Sequence, residues 1–283
     1  MGYSMRDGIE CGGPRSACFP AASLLLALLV YLSLVAAACE GRPSGGGPTT
    51  AHEKPVVLDV EQALKADPGS EVYVQGFLFF EGDRVVLAST VLESYPPLPG
   101  APTLRVKGLG LEELVGLSST TKESGFPAAT WSDYVVVLKG TVEDGSLKVV
   151  TAPRVVQASA GDLAVRFSPV SEPLRTGEQV WWVFDVLNRG RKAVVLTFAS
   201  GQKADVTLSR LGSQHYRWSS GRAFTEAIEP ATVEPGGSFA VVLSDSLSVE
   251  RGDYELKAWV TASAPYGERA APLPQLATTV KVY

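Results

Sequence analysis

The chain has 283 residues, 45% of them hydrophobic, and a formal net charge of −5 at pH 7. Its length is enough for two domains of ordinary size, and its apolar fraction is that of a globular protein. Acidic residues outnumber basic ones in residues 55–157, and the two kinds are balanced in residues 158–283. Neither half therefore offers the basic surface that binds nucleic acid, and no nucleic-acid partner is expected.

Residues 1–38 have the character of an export signal. Residues 21–38 carry no charge and end in small residues, which is the pattern of a signal peptide. The segment ends in three alanines before Cys39 and resembles the lipobox of bacterial lipoproteins, which implies cleavage before Cys39 and lipid attachment to its sulfur. Two alternatives stay open, because an ordinary signal-peptidase site also fits and the apolar run is near the lower limit for a membrane-spanning helix.

Residues 39–54 are predicted to be a flexible linker. They are rich in Gly, Pro, Ser and Thr, so they cannot build a core. Lipid on Cys39 would place the rest of the chain outside the cytoplasm, anchored to the cell membrane. No cysteine follows Cys39, so the folded part must be stabilised by packing without disulfides.

Residues 55–157 are predicted to form an OB-like small β-barrel. Apolar runs flank the turn at residues 81–83 and the turn at residues 143–146, which indicates two hairpins. A strand at residues 104–106 and a short helix over residues 111–117 lie between them, giving the order β-β-β-α-β-β. Gly76 falls inside the first strand, where a strongly bent barrel strand needs it. A small sandwich also fits this pattern.

Residues 158–283 are predicted to form a second all-β domain, a β-sandwich. The stretch 157–162 contains Ala, Ser and Gly and marks the expected boundary between the two domains. Short apolar runs separated by turns follow it, as in sandwiches. They are residues 163–167, 179–187, 193–199, 204–211, 238–243, 254–261 and 277–282.

An ordered set of motifs in this second domain resembles a known family. The set is a strand ending in Asn, a Phe-x-Ser-Gly-Gln turn, a Trp-Ser-x-Gly-x-x-Phe segment and a Pro-Gly turn. Its residues are Asn188, Phe198, Ser200, Gly201, Gln202, Trp218, Phe224, Pro235 and Gly236. The set resembles the intracellular proteinase inhibitor (BsuPI) family. The resemblance implies an immunoglobulin-like β-sandwich and, for the founding members, inhibition of a bacterial serine protease.

Most motif residues are expected to be structural. Gly201 is available for a positive φ angle, and Pro235 followed by Gly236 is a turn dipeptide. Trp218 and Phe224 can both turn inward and anchor the loop between them. The functional alternative makes that loop an exposed, supported surface for a partner. Its residues are Ser219, Ser220, Gly221 and Arg222.

Residue types that carry catalysis or bind metals are scarce beyond the linker. His215 has no serine-nucleophile motif beside it, and with no cysteine available a zinc or other transition-metal site is not expected. The glycine pattern of a dinucleotide loop is incomplete. The sequence therefore predicts no enzyme activity, no metal and no cofactor.

Three functions are compatible with these features. The leading hypothesis is a membrane-anchored extracytoplasmic lipoprotein that acts as a protein-binding accessory module. The first alternative is inhibition of a subtilisin-like serine protease through the BsuPI-like domain. The second is an enzyme acting on cell-wall material, which is supported only by the acidic first domain and the expected location.

Overall fold

The computed structural model describes residues 54–120, 125–126, 128–266 and 269–283. The predicted signal segment and the lipid-attachment residue Cys39 lie outside these residues. Residues 52–283 form one compact unit, in which strands dominate, so the all-β prediction is confirmed. In the described part of the chain no helix is long and apolar enough to cross a membrane.

The first β domain is a closed barrel with one short helix. Its elements are β1 (Val57–Leu58), α1 (Val60–Leu64), β2 (Glu71–Glu81), β3 (Arg84–Leu92), β4 (Leu98–Lys107), β5 (Ser118–Ser119), β6 (Thr130–Trp131), β7 (Val136–Glu143) and β8 (Ser146–Thr151). β2 pairs antiparallel with β3 and β7, β3 pairs antiparallel with β4, and β7 pairs antiparallel with β8. β4 and β8 close the ring in parallel. This is the five-stranded Greek-key barrel of an OB-fold, as predicted.

The helix predicted over residues 111–117 is wrong. A single 3-10 turn, Leu111–Glu113, occupies its start, and the chain then continues in an extended conformation. Gly110 precedes the turn and Gly116, with a φ of 65°, follows it. Glycine before the turn and the left-handed conformation of Gly116 after it disfavour continuation of this turn into an α-helix.

Helix α1, which was not predicted, packs on the bend of β2. Asp59 accepts a hydrogen bond from the Gln62 N–H at 2.7 Å, and the Gln62 side chain accepts one from the Asp59 N–H at 2.9 Å, forming a capping box. Val60 and Ala63 are buried. A Cβ at Gly76 would lie 2.7 Å from a β3 carbonyl oxygen and 3.2 Å from Val60. The crossing of α1, β2 and β3 therefore requires glycine at position 76.

The second β domain is a two-layered sandwich, as predicted. Its strands are β9 (Val156–Ala160), β10 (Leu163–Ser168), β11 (Gln179–Asn188), β12 (Val194–Phe198), β13 (Ala204–Arg210), β14 (Ser213–Arg217), β15 (Glu229–Val233), β16 (Ser238–Ser246), β17 (Gly252–Val260), β18 (Ser263–Tyr266), β19 (Arg269–Pro272) and β20 (Leu276–Val282). One layer has the order β16-β11-β10-β9. The other layer consists of the sheets β15-β12-β18-β19 and β14-β13-β17-β20.

The stretch 157–162, predicted as the domain boundary, folds as a hairpin of the sandwich. β9 pairs antiparallel with β10, with Ala160 opposite Leu163. Gly161 forms the turn with a φ of 58°. The small and polar residues of β9 give no apolar signal, which is why this stretch looks like a connection in the sequence. The sandwich begins at Val156, two residues before the predicted start.

β12 and β13 form one long strand that is interrupted at residues 199–203. β12 pairs with β18 and β13 pairs with β17. Between these two ladders the Thr261 N–H donates to the Lys203 carbonyl oxygen at 3.0 Å. The predicted turn at residues 200–202 is therefore an irregularity within a strand, which bends the layer locally.

The barrel covers the outer face of the β16-β11-β10-β9 layer. Successive residues of a strand point to opposite faces. Accordingly Trp182 and Phe184 of β11 lie in the sandwich core, whereas Trp181 and Val183 pack with the core residues of the barrel. The Val137 N–H of the barrel also donates to the Val170 carbonyl oxygen at 2.9 Å. Burial on both faces explains why β11 lacks polar-apolar alternation.

Candidate functional site

Residues 218–228, here called the edge segment, connect β14 to β15 along one edge of the sandwich. Among the described strands, β14 pairs only with β13 and β15 only with β12. The Trp218 N–H donates to the Val206 carbonyl oxygen, and the Gly201 N–H donates to the Thr225 carbonyl oxygen, both at 2.9 Å. The segment is thus attached to its layer at two points while its outer side is open.

A buried carboxylate holds the start of the edge segment. Asp205 on β13 is 0% exposed. It accepts hydrogen bonds from the Ser219 hydroxyl at 2.7 Å and the Ser219 N–H at 3.1 Å, and it pairs with the Arg217 guanidinium at 2.7 Å. Bonds to a charged acceptor are stronger than neutral ones. Asp205 therefore fixes the backbone where the edge segment leaves β14.

Arg222 lies folded back on the same turn. Its guanidinium carbon is 4.4 Å from the centroid of the Trp218 ring, and its Nε donates to the Trp218 carbonyl oxygen at 2.8 Å. It also pairs with Asp245 of β16 at 3.2 Å. The side chain that was predicted to contact a partner thus stabilises the turn and links the two layers.

The other residues of the predicted contact loop are of two kinds, one that supports the turn and two that are exposed. Ser219 is bound to Asp205, whereas Ser220 and Gly221 are exposed at the tip of the turn. Gly221 has a φ of 74°, which disfavours a side chain there. That this turn contacts a partner stays a prediction. Its visible role is to support the residues that follow it.

Trp218 and Phe224 both turn inward, and their ring centroids are 5.9 Å apart. The Trp218 indole N–H donates to the Ser244 carbonyl oxygen of β16 at 3.1 Å. Because Trp218 belongs to one layer and Ser244 to the other, the indole closes the edge of the sandwich. Phe224 is half-buried against it and anchors the middle of the edge segment.

Asn188 and the Pro235-Gly236 turn meet at one end of the sandwich. The Asn188 amide nitrogen donates to the carbonyl oxygens of Lys192 at 2.7 Å and Val233 at 2.9 Å. The Gly236 N–H donates to the Asn188 carbonyl oxygen at 2.8 Å. Gly236 has a φ of 73°, so it uses the freedom of glycine in this turn. These motif residues hold loops together.

The remaining motif residues surround the interruption between β12 and β13. Phe198 is buried in the core, and the Gln202 N–H donates to the Ser200 hydroxyl at 3.2 Å. Gly201 does not adopt the positive φ that was considered for it. It is needed for space instead, since a Cβ there would lie 2.5 Å from the Thr225 hydroxyl oxygen. Gly201 thus lets the edge segment lie close to the layer.

Residues 226–228, here called the arc, are an exposed part of the edge segment. Ile228 is 73% exposed. No backbone hydrogen bond joins the arc to the rest of the described chain. Thr225 holds one end, and at the other end Glu229 pairs with Lys203 at 2.5 Å. The hydrogen bond from Lys203 lowers the pKa of Glu229, which favours the charged carboxylate at this end of the arc.

The structure brings together no catalytic group at this edge. The exposed His215 on β14 contacts Tyr254 edge to face, with ring centroids 5.8 Å apart. Within the described ranges no cluster of His, Cys, Asp and Glu could hold a metal ion. The edge therefore offers a stretch of backbone that is fixed at both ends. Its N–H and C=O groups are available for hydrogen bonds, and the aliphatic side chain of Ile228 is exposed.

Residues 171–265 match the BsuPI family, described as intracellular proteinase inhibitor. The match confirms the resemblance seen in the motif residues. It covers the whole edge segment and all of the motif residues. The BsuPI match is to a family of inhibitors, which is consistent with a protein that is not an enzyme.

Solved structures with similar parts were also found. A CARDB domain from Pyrococcus furiosus is 12% identical, with 39% of this chain and 78% of that chain covered and a TM-score of 0.22. A β-glucosidase from Listeria innocua is 12% identical, with 50% of this chain and 18% of that chain covered and a TM-score of 0.25. The comparison with curated proteins found no match.

Proposed function

We propose that this protein inhibits a subtilisin-like serine protease through the edge segment of its BsuPI-type sandwich. The observation that carries the proposal is the arc, an exposed stretch held at both ends within a domain that matches an inhibitor family. The accessory-module hypothesis would use the same surface. The family match favours the inhibitor over it.

The geometry of the edge segment fits an enzyme that binds extended chains. Residues 222–228 contain no helix, turn or bend. Extended peptides are recognised through main-chain hydrogen bonds, with side-chain pockets giving specificity. The free backbone groups of the arc and the exposed Ile228 side chain supply both kinds of contact.

Support at both ends distinguishes an inhibitor from a substrate. A loop that is already ordered loses little entropy on binding, so it binds more tightly than a flexible peptide of the same sequence. Thr225 and Glu229 are bound to the layer on either side of the arc. If the enzyme cut the arc, both new ends would stay attached to the sandwich and religation would be favoured.

The inhibitor is proposed to act outside the cytoplasm, tethered through Cys39. The lipobox-like sequence and the linker of residues 39–54 support this location. A Cys39→Ser variant is expected to leave the membrane fraction and to lose incorporation of labelled fatty acid. A variant that still fractionates with the membrane would contradict lipid attachment and favour an uncleaved helix.

The inhibition is tested by titrating subtilisin with the purified full chain. We expect stoichiometric loss of activity, and we expect Ile228→Asp to weaken the inhibition about tenfold or more. Leu211→Asp is the matched control, because Leu211 is 97% exposed at the β13–β14 turn, outside the edge segment. Full protease activity in the presence of excess protein, or rapid digestion of the protein, would overturn the proposal.

A further inference from the structure

A cleft of about 310 Å³ lies between the barrel and the sandwich, away from the edge segment. One wall comes from β2 and β3 of the barrel, and the other from the start of β11 and the residues before it. Its volume is at the lower end of the range for small-molecule sites. Neither the motif residues nor the BsuPI match explains it.

Both walls carry hydrogen-bonding side chains that have no partner in the described part of the chain. Gln75 and Ser89 lie on the barrel wall, and Gln179 lies on the sandwich wall. Asp59 uses one carboxylate oxygen to cap α1, which leaves the other available. A glutamine amide offers donors and an acceptor side by side. Adjacent hydroxyl groups on a ligand present the same combination.

Two aromatic side chains line the same cleft. Phe77 projects from β2, and Trp181 from β11. Both are half-buried, so part of each ring is accessible. Flat aromatic surfaces pack well against a ligand face made of C–H groups. The cleft therefore offers apolar stacking beside groups that bind hydroxyls.

The charges of the cleft argue for a neutral ligand. Arg175 forms an ion pair with Glu178, and Lys54 pairs with the same carboxylate at 3.1 Å. Glu178 and Asp59 together balance the positive charges of Arg175 and Lys54, so the charges at the cleft sum to zero. An anionic ligand such as a phosphate would meet no free counter-charge.

We propose that this cleft binds a short uncharged saccharide. Pyranose rings combine adjacent hydroxyls at the rim with a C–H face, which matches amide groups on two walls and the rings of Phe77 and Trp181. The proposal does not depend on protease inhibition, because the cleft and the edge segment share no residue.

The test uses the full chain in a detergent without a sugar headgroup. Maltose, cellobiose and diacetylchitobiose are titrated at up to millimolar concentrations, with saturation-transfer NMR and tryptophan fluorescence as readouts. At least one disaccharide is expected to bind saturably. Gln75→Ala and Gln179→Ala are each expected to weaken that binding about tenfold, since each removes the hydrogen bonds that the side-chain amide would form with the ligand.

The matched control is Gln214→Ala, which removes an exposed glutamine on β14 outside the cleft. It is expected to leave saccharide binding unchanged. Thermal unfolding of each variant shows that the fold is retained. Three results would overturn the proposal: no saturable binding of any disaccharide, equal binding by the two cleft variants and the control, or tighter binding of inorganic phosphate than of the sugars.

Discussion

Asp205 shows how a residue without any sequence signal can organise the candidate site. It stands in an ordinary strand pattern, yet its buried carboxylate receives hydrogen bonds from Ser219 and a charge pair from Arg217. A buried carboxylate without such partners would be very unfavourable. Asp205 and the start of the edge segment therefore depend on each other.

Asp205→Ala is expected to lower the free energy of unfolding by about 3 kcal/mol, because it removes the ion pair with Arg217 and the hydrogen bonds from Ser219 at a fully buried position. Urea denaturation measures the change. Glu250→Ala is the control, since that side chain is 85% exposed, and the change there should stay within about 0.5 kcal/mol. Equal effects of the two substitutions would show that the Asp205 network is not structural.

Asp185, which lies between the barrel and the sandwich, makes a pH-dependent contribution to the stability of the fold. Burial raises the pKa of its carboxyl, against the opposing effects of Arg166 at 3.7 Å and the Gly116 N–H at 3.2 Å. The folded state then holds the proton more strongly than the unfolded state does. The stabilisation linked to this proton is complete below the ordinary value of 3.8 and is lost as the pH rises through the raised pKa.

Asp185→Asn keeps the side chain neutral at every pH. Its unfolding free energy, relative to that of the unmodified protein, is therefore expected to increase between about pH 4 and pH 7. Urea denaturation at both pH values measures this difference. A difference that stays constant would show that the charge pair with Arg166 offsets the effect of burial, and one that decreases with pH would show that it outweighs that effect.

At the scale of elements, apolar runs predicted the strands that face a core, and the edge strands with few apolar residues were missed. β10, β11 and β13 are largely buried and agree with predicted runs to within one residue at each end. β14 and β15 were not predicted, because one face and one edge are open and their residues are mostly polar or small. The arc lies between these two strands and directly precedes β15, so its location had no apolar signal either.

Gly76 is required where β2 crosses α1 and β3. Gly76→Ala is expected to lower the free energy of unfolding by about 1 to 3 kcal/mol, because the added methyl group overlaps β3 and α1. The measurement is again urea denaturation. Gly82→Asn is the control: position 82 has a φ of 60°, which Asn tolerates, and open space around it. A near-neutral Gly76→Ala would mean that the strand crossing can relax.

At the scale of the whole molecule, the barrel determines which surface of the BsuPI-type sandwich is accessible. Trp181 and Val183 of β11 pack with the core residues of the barrel, so the outer face of that layer is covered. The edge segment belongs to the other layer and stays open. A partner of the sandwich must therefore approach from the side away from the barrel.

The sandwich without the barrel is expected to be less stable, because its removal exposes Trp181, Val183 and Val170 to water. Residues 156–283 should unfold at a lower temperature than residues 54–283 and should bind a hydrophobic dye. Differential scanning calorimetry and dye fluorescence measure both effects. Equal unfolding temperatures would show that the barrel does not stabilise the sandwich.

The sequence by itself determined the all-β class, the sandwich architecture of the second domain and the BsuPI resemblance, because these depend on apolar periodicity, turn residues and spaced motifs along the chain. For the first domain it left an OB-like barrel and a small sandwich open. Only the tertiary structure showed that Arg222 stabilises the turn at the start of the edge segment and that Ile228 is exposed. Only the tertiary structure, likewise, placed Gln75 and Gln179 on the lining of one cleft. These facts depend on which residues meet after the chain has folded, and edge pairing and domain packing leave no periodic pattern in the sequence.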